Sequence, residues 1–255
     1  MRLAQIPFTN AAPFFHRLDP AWLAGQELIP DAPRDLGDLA RSGGVDAGLF
    51  SLVDVWDLER RGLFEPIGAL GVASHGPIRS ILLFGARRPE DLEGADIAVS
   101  GQTATSVRLM EAWLREKVGL RRYRLVPLGS PAPACLLIAD QALARALSLS
   151  PGDPGPLDLG REWNAWTGSS FVFARWAVRR SLPQGEKRAL LEAVTASLDH
   201  SLKDLDGFAR DLSSRTGFPR DFLKTYVSGI RYRLGPDEEE GMTLFRAKWE
   251  RLAAG

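Results

Sequence analysis

The sequence is poor in the residues that build disulfide frameworks, metal centres and charged binding surfaces. Its 255 residues include one cysteine and three histidines, and Lys+Arg and Asp+Glu are equal at 32 each. The single cysteine, Cys135, excludes an internal disulfide framework and a cysteine-based zinc cluster. Because the charges balance, no overall field attracts nucleic acid or a membrane surface. We expect a monomer or a homodimer without nucleic-acid or membrane partners.

Long apolar segments and nucleotide-binding motifs are also missing. No run reaches the length of a transmembrane helix, and the N-terminus lacks the apolar region of a secretory signal, so we expect a cytoplasmic location. The sequence has no phosphate-binding Gly-Lys-Ser loop, no dinucleotide fingerprint and no nucleophile elbow. The histidines, His16, His75 and His200, form no metal-ligand motif with nearby Cys, Asp or Glu. The sequence therefore predicts neither a cofactor nor a metal ion.

The chain does contain short apolar strands that are followed by small polar residues, most clearly at residues 97–110. There an apolar run of three residues precedes a polar loop and a segment with apolar positions at helical spacing. Thr105 or Ser106 stands at the expected N-cap, so a helix is predicted to start there. Its first turn would offer backbone N–H groups and hydroxyls to a carboxylate or phosphate. An ordinary capped helix without a ligand would give the same pattern.

Similar small polar residues occur near the ends of other predicted strands. The candidate ligand-binding residues are Asn10, Ser51, Ser80, Thr105 and Ser106, with Arg79 as a cation. Each has a structural alternative, since Asn10, for example, is also a common turn or cap residue. Together they suit an anionic organic molecule held by hydroxyl and backbone donors. By itself this set of residues favours a binding protein over an enzyme.

Strands and helices alternate up to residue 180, after which we predict only helices. A charged turn at residues 87–94 and a long strand at residues 171–178 mark two predicted crossings between lobes. We predict an α/β fold in which residues 1–86 and 177–255 form lobe 1 and residues 87–176 form an inserted lobe 2. A cleft between lobes joined by two strands would suit closure over a small molecule.

Several segments taken together resemble the chorismate dehydratases, which open the futalosine route to menaquinone. The segments are residues 8–14, 76–84, 100–109, 136–143, 158–174 and 228–232. Their order and spacing carry the resemblance, which covers nearly the whole chain. Phe8-Thr9-Asn10 stands where the family usually has Tyr-Leu-Asn, and Ala139-Asp140 where it usually has Gly-Asp. Asn10 itself is kept, so the first departure leaves the predicted site intact.

The resemblance implies a two-lobe, periplasmic-binding-protein-like type II fold and a hydro-lyase that converts chorismate to 3-[(1-carboxyvinyl)oxy]benzoate and water. On this basis Asn10 and Ser80 are predicted to hold the reacting groups, and the start of the helix at Thr105 and Ser106 to bind a carboxylate. Ser51 and Arg79 are further predicted contacts to substrate. These residues include no obvious strong base. We therefore hypothesise that the substrate's own enolpyruvyl carboxylate takes the proton.

Two alternatives remain open at this point. A sister enzyme of the same pathway forms dihydroxynaphthoate on the same fold, but it usually carries a Cys-Pro-Asn-Asp segment near its N-terminus, which this chain lacks. A cytoplasmic protein that binds a small carboxylate without catalysis would need the same residues. Activity on chorismate distinguishes these alternatives.

Overall fold

The computed structural model describes residues 1–86 and 88–254 and contains two β-sheets with helices packed on them. The strands are β1 (Arg2–Gln5), β2 (Glu27–Pro30), β3 (Ala47–Ser51), β4 (Phe64–Ser74), β5 (Ile81–Phe84), β6 (Asp96–Val99), β7 (Arg124–Pro127), β8 (Ala134–Ile138), β9 (Leu157–Asp158), β10 (Phe171–Arg179) and β11 (Arg231–Arg233). The helices are α1 (Pro20–Leu23), α2 (Pro33–Ser42), α3 (Leu52–Arg60), α4 (Thr105–Ala112), α5 (Ala139–Leu147), α6 (Leu159–Thr167), α7 (Gln184–Lys203), α8 (Leu205–Thr216), α9 (Arg220–Ser228) and α10 (Pro236–Ala254). A π-helical turn, Trp113–Val118, continues α4.

The chain divides into two compact units. Unit 1 comprises Met1–Val72 and Ala174–Arg233, and unit 2 comprises Ala73–Phe173 and the residues from Leu234 onward. Strands β4 and β10 each begin in one unit and end in the other. Unit 2 is therefore inserted into unit 1, apart from the C-terminal helix α10, which returns to unit 2.

The sheet of unit 1 has the strand order β11-β4-β10-β3-β1-β2. β1 runs parallel to β2 and β3, while β10 runs antiparallel to β3 with Ala174 opposite Ser51. The central strands β3 and β10 are almost entirely buried, as expected for a sheet covered on both faces. In the core of this unit the ring of Phe14 meets the rings of Trp176 and Tyr232 edge-on, each at 5.5 Å.

The sheet of unit 2 has the order β7-β6-β8-β5-β9. β6 is parallel to both β7 and β8, and β5 is antiparallel to both β8 and β9. The apolar runs of β5 and β8 pair directly, with Ile81 opposite Ile138 and Phe84 opposite Cys135. Cys135 packs beside the buried cluster formed by Leu82, Phe84, Leu137 and Ala142, in agreement with a structural thiol.

The predicted lobe boundaries differ from this division in three places. Residues 174–176 belong to unit 1, whereas the prediction assigned them to lobe 2. Residues 73–86 and the C-terminal helix group with unit 2, whereas the prediction assigned both to lobe 1. Helix α10 joins unit 2 because Phe245 packs on Phe171 at 4.7 Å and on Trp163 at 5.9 Å. Glu116 also binds Lys248 at 3.0 Å within that unit. Arg87, where the predicted lobe 2 and its charged turn begin, and Gly255, where the predicted lobe 1 ends, lie outside the described residues.

The segment after residue 180 contains one strand that was not predicted. β11 has only three residues, and its first and last residues are arginines, so no apolar run marks it. The two-residue strand β9 was likewise missed, since it follows a segment rich in proline and glycine. Within residues 1–86 and 88–254 no helix is long and apolar enough to cross a membrane.

Candidate functional site

One edge of the sheet in unit 2 brings together most of the residues singled out from the sequence. β6, β8 and β9 end at this edge and the antiparallel β5 begins there, as their registers require. We call it the second-sheet edge and define it as residues 78–80, 100–106, 139–140 and 158–161. In α/β sheets ligands bind outside the carboxyl ends of parallel strands, which is where this edge lies.

Ser80 directly precedes β5 at this edge. Its side chain is fully buried, and the hydroxyl oxygen has no hydrogen-bond partner among the described residues. The Ser80 carbonyl accepts a hydrogen bond from the backbone N–H of Ala139 at 2.7 Å, which ties the start of β5 to the end of β8. A buried hydroxyl without a partner is costly, and in native proteins it calls for an explanation such as a ligand.

The backbone is strained on both sides of that hydrogen bond. Arg79 has φ of +66° and Ala139 has φ of +48°, and these are the two non-glycine residues with positive φ in the described chain. Such conformations cost about 1 kcal/mol or more, and they persist where the surroundings hold the backbone in place. The Arg79 side chain is exposed, so its charge is available to a solvent-borne anion.

Helix α4 begins at the same edge, after β6. The prediction that Thr105 or Ser106 is the N-cap is wrong, because the N-cap is Ala104 and both hydroxyl residues lie in the first turn. Thr105 and Ser106 are buried. The N-cap residue Ala104 makes no side-chain cap hydrogen bond, and the first turn carries no acidic residue. The positive end of the helix dipole therefore has no carboxylate in the helix's own first turn.

The loops that lead into β5 and α6 are joined by one carboxylate that the sequence analysis did not single out. Asp158 is buried and caps α6 by accepting hydrogen bonds from the N–H groups of Gly160 at 2.9 Å and Arg161 at 3.1 Å. The same carboxylate accepts the N–H groups of Ile78 at 3.1 Å and Arg79 at 2.6 Å. An aspartate directly before a helix was the available sequence signal for the cap, but the loop contacts depend on tertiary structure.

Asn10 and Ser51 lie in unit 1, at the carboxyl ends of β1 and β3. Asn10 is half-buried in a turn that is closed by the N–H of Ala11 donating to the Phe8 carbonyl at 3.0 Å. Ser51 is the N-cap of α3, and its hydroxyl donates to the Asp54 carboxylate at 2.6 Å. The Ser51 hydroxyl, predicted to bind substrate, is thus engaged within its own unit. The structure places Ser80, Arg79, Thr105 and Ser106 at one edge, and it places Asn10 and Ser51 in the other unit.

Two carboxyl groups have pKa values raised by their surroundings. Burial raises the pKa of Asp54, although hydrogen bonds from Ser51 and Arg41 oppose the shift. Burial also raises the pKa of Glu162, in the first turn of α6, against the charge of Arg161. Among the residues that the structure describes, no group of three or more His, Cys, Asp or Glu is arranged to hold a metal ion.

Similar solved structures share this fold. A protein from Archaeoglobus fulgidus matches with a TM-score of 0.78 and 17% identity, over 100% of this chain and 98% of that chain. The alkanesulfonate-binding protein of Xanthomonas axonopodis pv. citri, bound to MOPS, matches with a TM-score of 0.68 and 15% identity over 100% and 92%. The periplasmic aliphatic sulphonate-binding protein of Escherichia coli gives 0.67 and 14% over 100% and 86%. The predicted periplasmic-binding-protein-like α/β fold is confirmed.

The family is defined by sequence rather than by these distant structures. The sequence profile of a family described as menaquinone biosynthesis matches residues 1–251, nearly the whole chain. This match supports a role in that pathway and agrees with the pathway implied by the segments around Asn10 and Ser80. The chain belongs to this menaquinone biosynthesis family.

Proposed function

We propose that this protein is a chorismate dehydratase, a hydro-lyase of the futalosine route to menaquinone. The observation that carries the proposal is the buried Ser80 hydroxyl without a partner, at the same sheet edge as the start of α4, whose N-cap residue is an alanine. Such an arrangement offers a neutral hydroxyl and a set of N–H donors to one anionic molecule. Membership of the menaquinone biosynthesis family and the resemblance in the segments described above supply the substrate.

The dehydration requires little chemical activation by the protein. The C–H bond breaks at the ring carbon that bears the enolpyruvyl ether, and its electron pair enters the ring. The C–O bond of the neighbouring hydroxyl breaks at the other end of this elimination. The ring becomes aromatic, and the proton and hydroxide together leave as water. Because aromatisation drives the reaction, the protein must mainly hold the ring and assist departure of proton and hydroxide.

The second-sheet edge offers two places to hold the substrate, the start of α4 after β6 and Ser80 before β5. Strands β6 and β5 flank β8, so their axes are two strand spacings, about 10 Å, apart. That span fits a six-membered ring with a carboxylate at one end. We propose that the first turn of α4, with Thr105 and Ser106, binds a carboxylate, that Ser80 hydrogen-bonds a reacting oxygen, and that Arg79 adds positive charge.

The proton acceptor in the proposal is the enolpyruvyl carboxylate of chorismate itself. Both oxygens of Asp158 at this edge already accept backbone N–H groups. Asn10 enters the proposal on the resemblance alone, as a neutral amide that holds a reacting group. The proposal gives Ser51 no contact with substrate. Its hydroxyl donates to the Asp54 carboxylate, so Ser51 serves as the N-cap of α3.

The test is incubation of the purified protein with chorismate, with the products separated by chromatography and identified by mass. We expect consumption of chorismate and formation of one equivalent of an aromatic product that is lighter by one water. The Ser80→Ala variant is the control for contaminating activity. No consumption at high enzyme concentration contradicts the proposal. In that case calorimetric binding of chorismate without turnover would favour the carboxylate-binding protein, and no binding would favour the dihydroxynaphthoate-forming enzyme.

A further inference from the structure

The loop of residues 74–80 is fixed by several hydrogen bonds and by one close contact with the backbone of α6. Ser74 donates its hydroxyl to the Gly76 carbonyl at 2.9 Å, and Asp158 accepts the N–H groups of Ile78 and Arg79. Gly160 packs so closely on this loop that a Cβ there would lie 2.7 Å from the Gly76 oxygen. The loop ends at Ser80, so its conformation determines where the Ser80 hydroxyl points.

The two oxygens of Asp158 have different partners. Oδ1 accepts the N–H groups of Gly160 and Arg161 in α6 and that of Ile78, whereas Oδ2 accepts only the N–H of Arg79, at 2.6 Å. The Oδ2 contact is the shortest of the four, and it falls on the residue with φ of +66°. A charge-assisted hydrogen bond of this length can hold a backbone in a conformation that a non-glycine residue disfavours.

We propose that Asp158 is a positioning residue, which holds Arg79 in its left-handed conformation and thereby orients the Ser80 hydroxyl toward the substrate. The inference rests on the proposed function, since it requires that Ser80 contact the reacting molecule. In this proposal Asp158 itself does not touch substrate, because both oxygens of its carboxylate accept hydrogen bonds from backbone N–H groups.

The variant Asp158→Asn separates this role from helix capping. With its amide oxygen in the Oδ1 place, asparagine keeps the cap of α6, and asparagine is as good an N-cap as aspartate. Its NH₂ group then faces the N–H of Arg79, so two donors oppose each other and the link to Ser80 is lost. Asp204→Asn is the matched control, because Asp204 caps α8 in unit 1 through the N–H of Gly207 at 3.0 Å.

Kinetics on chorismate give the first measurement. We expect Asp158→Asn to lower kcat at least tenfold with a smaller change in KM, since small displacements of an orienting group are costly. Asp204→Asn should keep normal kinetics. In the double variant with Ser80→Ala, the loss should equal that of Ser80→Ala alone within about twofold, because Asp158 acts through Ser80. Normal kcat in Asp158→Asn, or losses that multiply, would overturn the proposal.

Hydrogen exchange gives a measurement that does not depend on the reaction. The peptide covering residues 74–81 should exchange at least tenfold faster in Asp158→Asn than in the unmodified protein or in Asp204→Asn. If the protein does not turn over chorismate, the proposed function fails, while this exchange still decides whether Asp158 holds the loop. Unchanged protection would overturn the positioning role even in an active enzyme. If Asp158→Asn does not fold, Asp158→Ser, which can cap α6 but cannot reach Arg79, replaces it in both measurements.

Discussion

Four strands of each sheet follow the same order, but the polar groups at the strand ends make different contacts. In unit 1 the order β2-β1-β3-β10 repeats as β7-β6-β8-β5 in unit 2, with an antiparallel strand beside the third strand of each. At the end of β3, Ser51 is bonded to Asp54, whose carboxylate also binds Arg41. At the end of β8, Ala139 has positive φ and the neighbouring Ser80 hydroxyl has no partner in the described chain. With the same arrangement of strands, the polar groups at the end of β3 bond to one another, whereas those at the end of β8 are suited to bind a ligand.

The largest expected effect is that of Ser80→Ala. If Ser80 holds a reacting group, this variant should lower kcat on chorismate by about a hundredfold or more, as loss of an oriented donor does in other enzymes. Its melting temperature should be unchanged or slightly raised, because the change removes a buried hydroxyl that lacks a partner. Steady-state kinetics and a thermal melt test both points. A clearly lower melting temperature with normal kcat would make Ser80 structural and would break the comparison.

Asn10→Ala tests whether unit 1 also contributes to the reaction. We expect kcat to fall by about a hundredfold with a smaller change in KM, if the Asn10 amide contacts the reacting groups as the resemblance implies. Kinetics at saturating and at low chorismate separate the two parameters. A near-normal kcat would confine the chemistry to the residues of unit 2.

Ser106→Ala tests the start of α4 as a carboxylate site. Loss of one hydrogen bond to a charged group costs about 1.5–3 kcal/mol, so KM should rise roughly tenfold to a hundredfold with kcat nearly kept. Calorimetric titration of the product gives the same loss without turnover. A strong loss of kcat with unchanged binding would show that Ser106 acts on the reacting atoms and does not merely anchor a carboxylate.

Ser51→Ala should affect stability rather than binding of an anion. Removal of an N-cap serine costs about 1 kcal/mol, which corresponds to a fall of roughly 2–4 °C in melting temperature for a chain of this size. The thermal melt of this variant, set beside that of Ser80→Ala, measures the contrast between the two edges directly. Equal melting temperatures for the two variants would remove that contrast.

A stability effect of similar size, present only above acidic pH, concerns Asp57 in the network that also holds Arg41. Desolvation raises the pKa of Asp57, but hydrogen bonds from Arg41, Arg61 and Arg60 outweigh it and lower that pKa to about 2. Since the folded pKa lies below the unfolded one, the stabilisation is present above pH 4 and is lost as pH falls toward 2. Asp57→Asn should destabilise the protein by about 1 kcal/mol at pH 7, because two of these arginines are exposed and screened. Urea unfolding from pH 7 to pH 2.5 should show this difference shrinking; a constant difference would contradict it.

Much of the fold could be predicted from the sequence because its strands are marked by short apolar runs. The strand that opens residues 97–110 and the long strand at residues 171–178 were predicted near their observed positions. The return of α10 to unit 2 could not be predicted, since it depends on ring packing of Phe245 with residues far away in sequence.

The candidate site was predictable to a similar degree. Small polar residues near the ends of predicted strands indicated Ser80 and the start of α4, because strand ends are where α/β proteins bind ligands. The N-cap was placed one or two residues late, since Ala104 has no capping side chain to signal the helix start. The role of Asp158 in holding Arg79 is set by a contact between residues 79 positions apart, and no local pattern encodes such a contact.

The place of β10 in its sheet has a consequence for the order of folding. β10 lies between β4 and β3 at the centre of the first sheet, yet it follows every strand of the second sheet in the chain. The first sheet therefore needs pairing between distant segments, such as Ala174 with Ser51, before its strands are joined. The second sheet lies within residues 81–158, so we expect it to form first and the first sheet to form later. Pulse-labelled hydrogen exchange during refolding, with earlier protection in β6 and β8 than in β3, would reveal this order, and the reverse sequence would refute it.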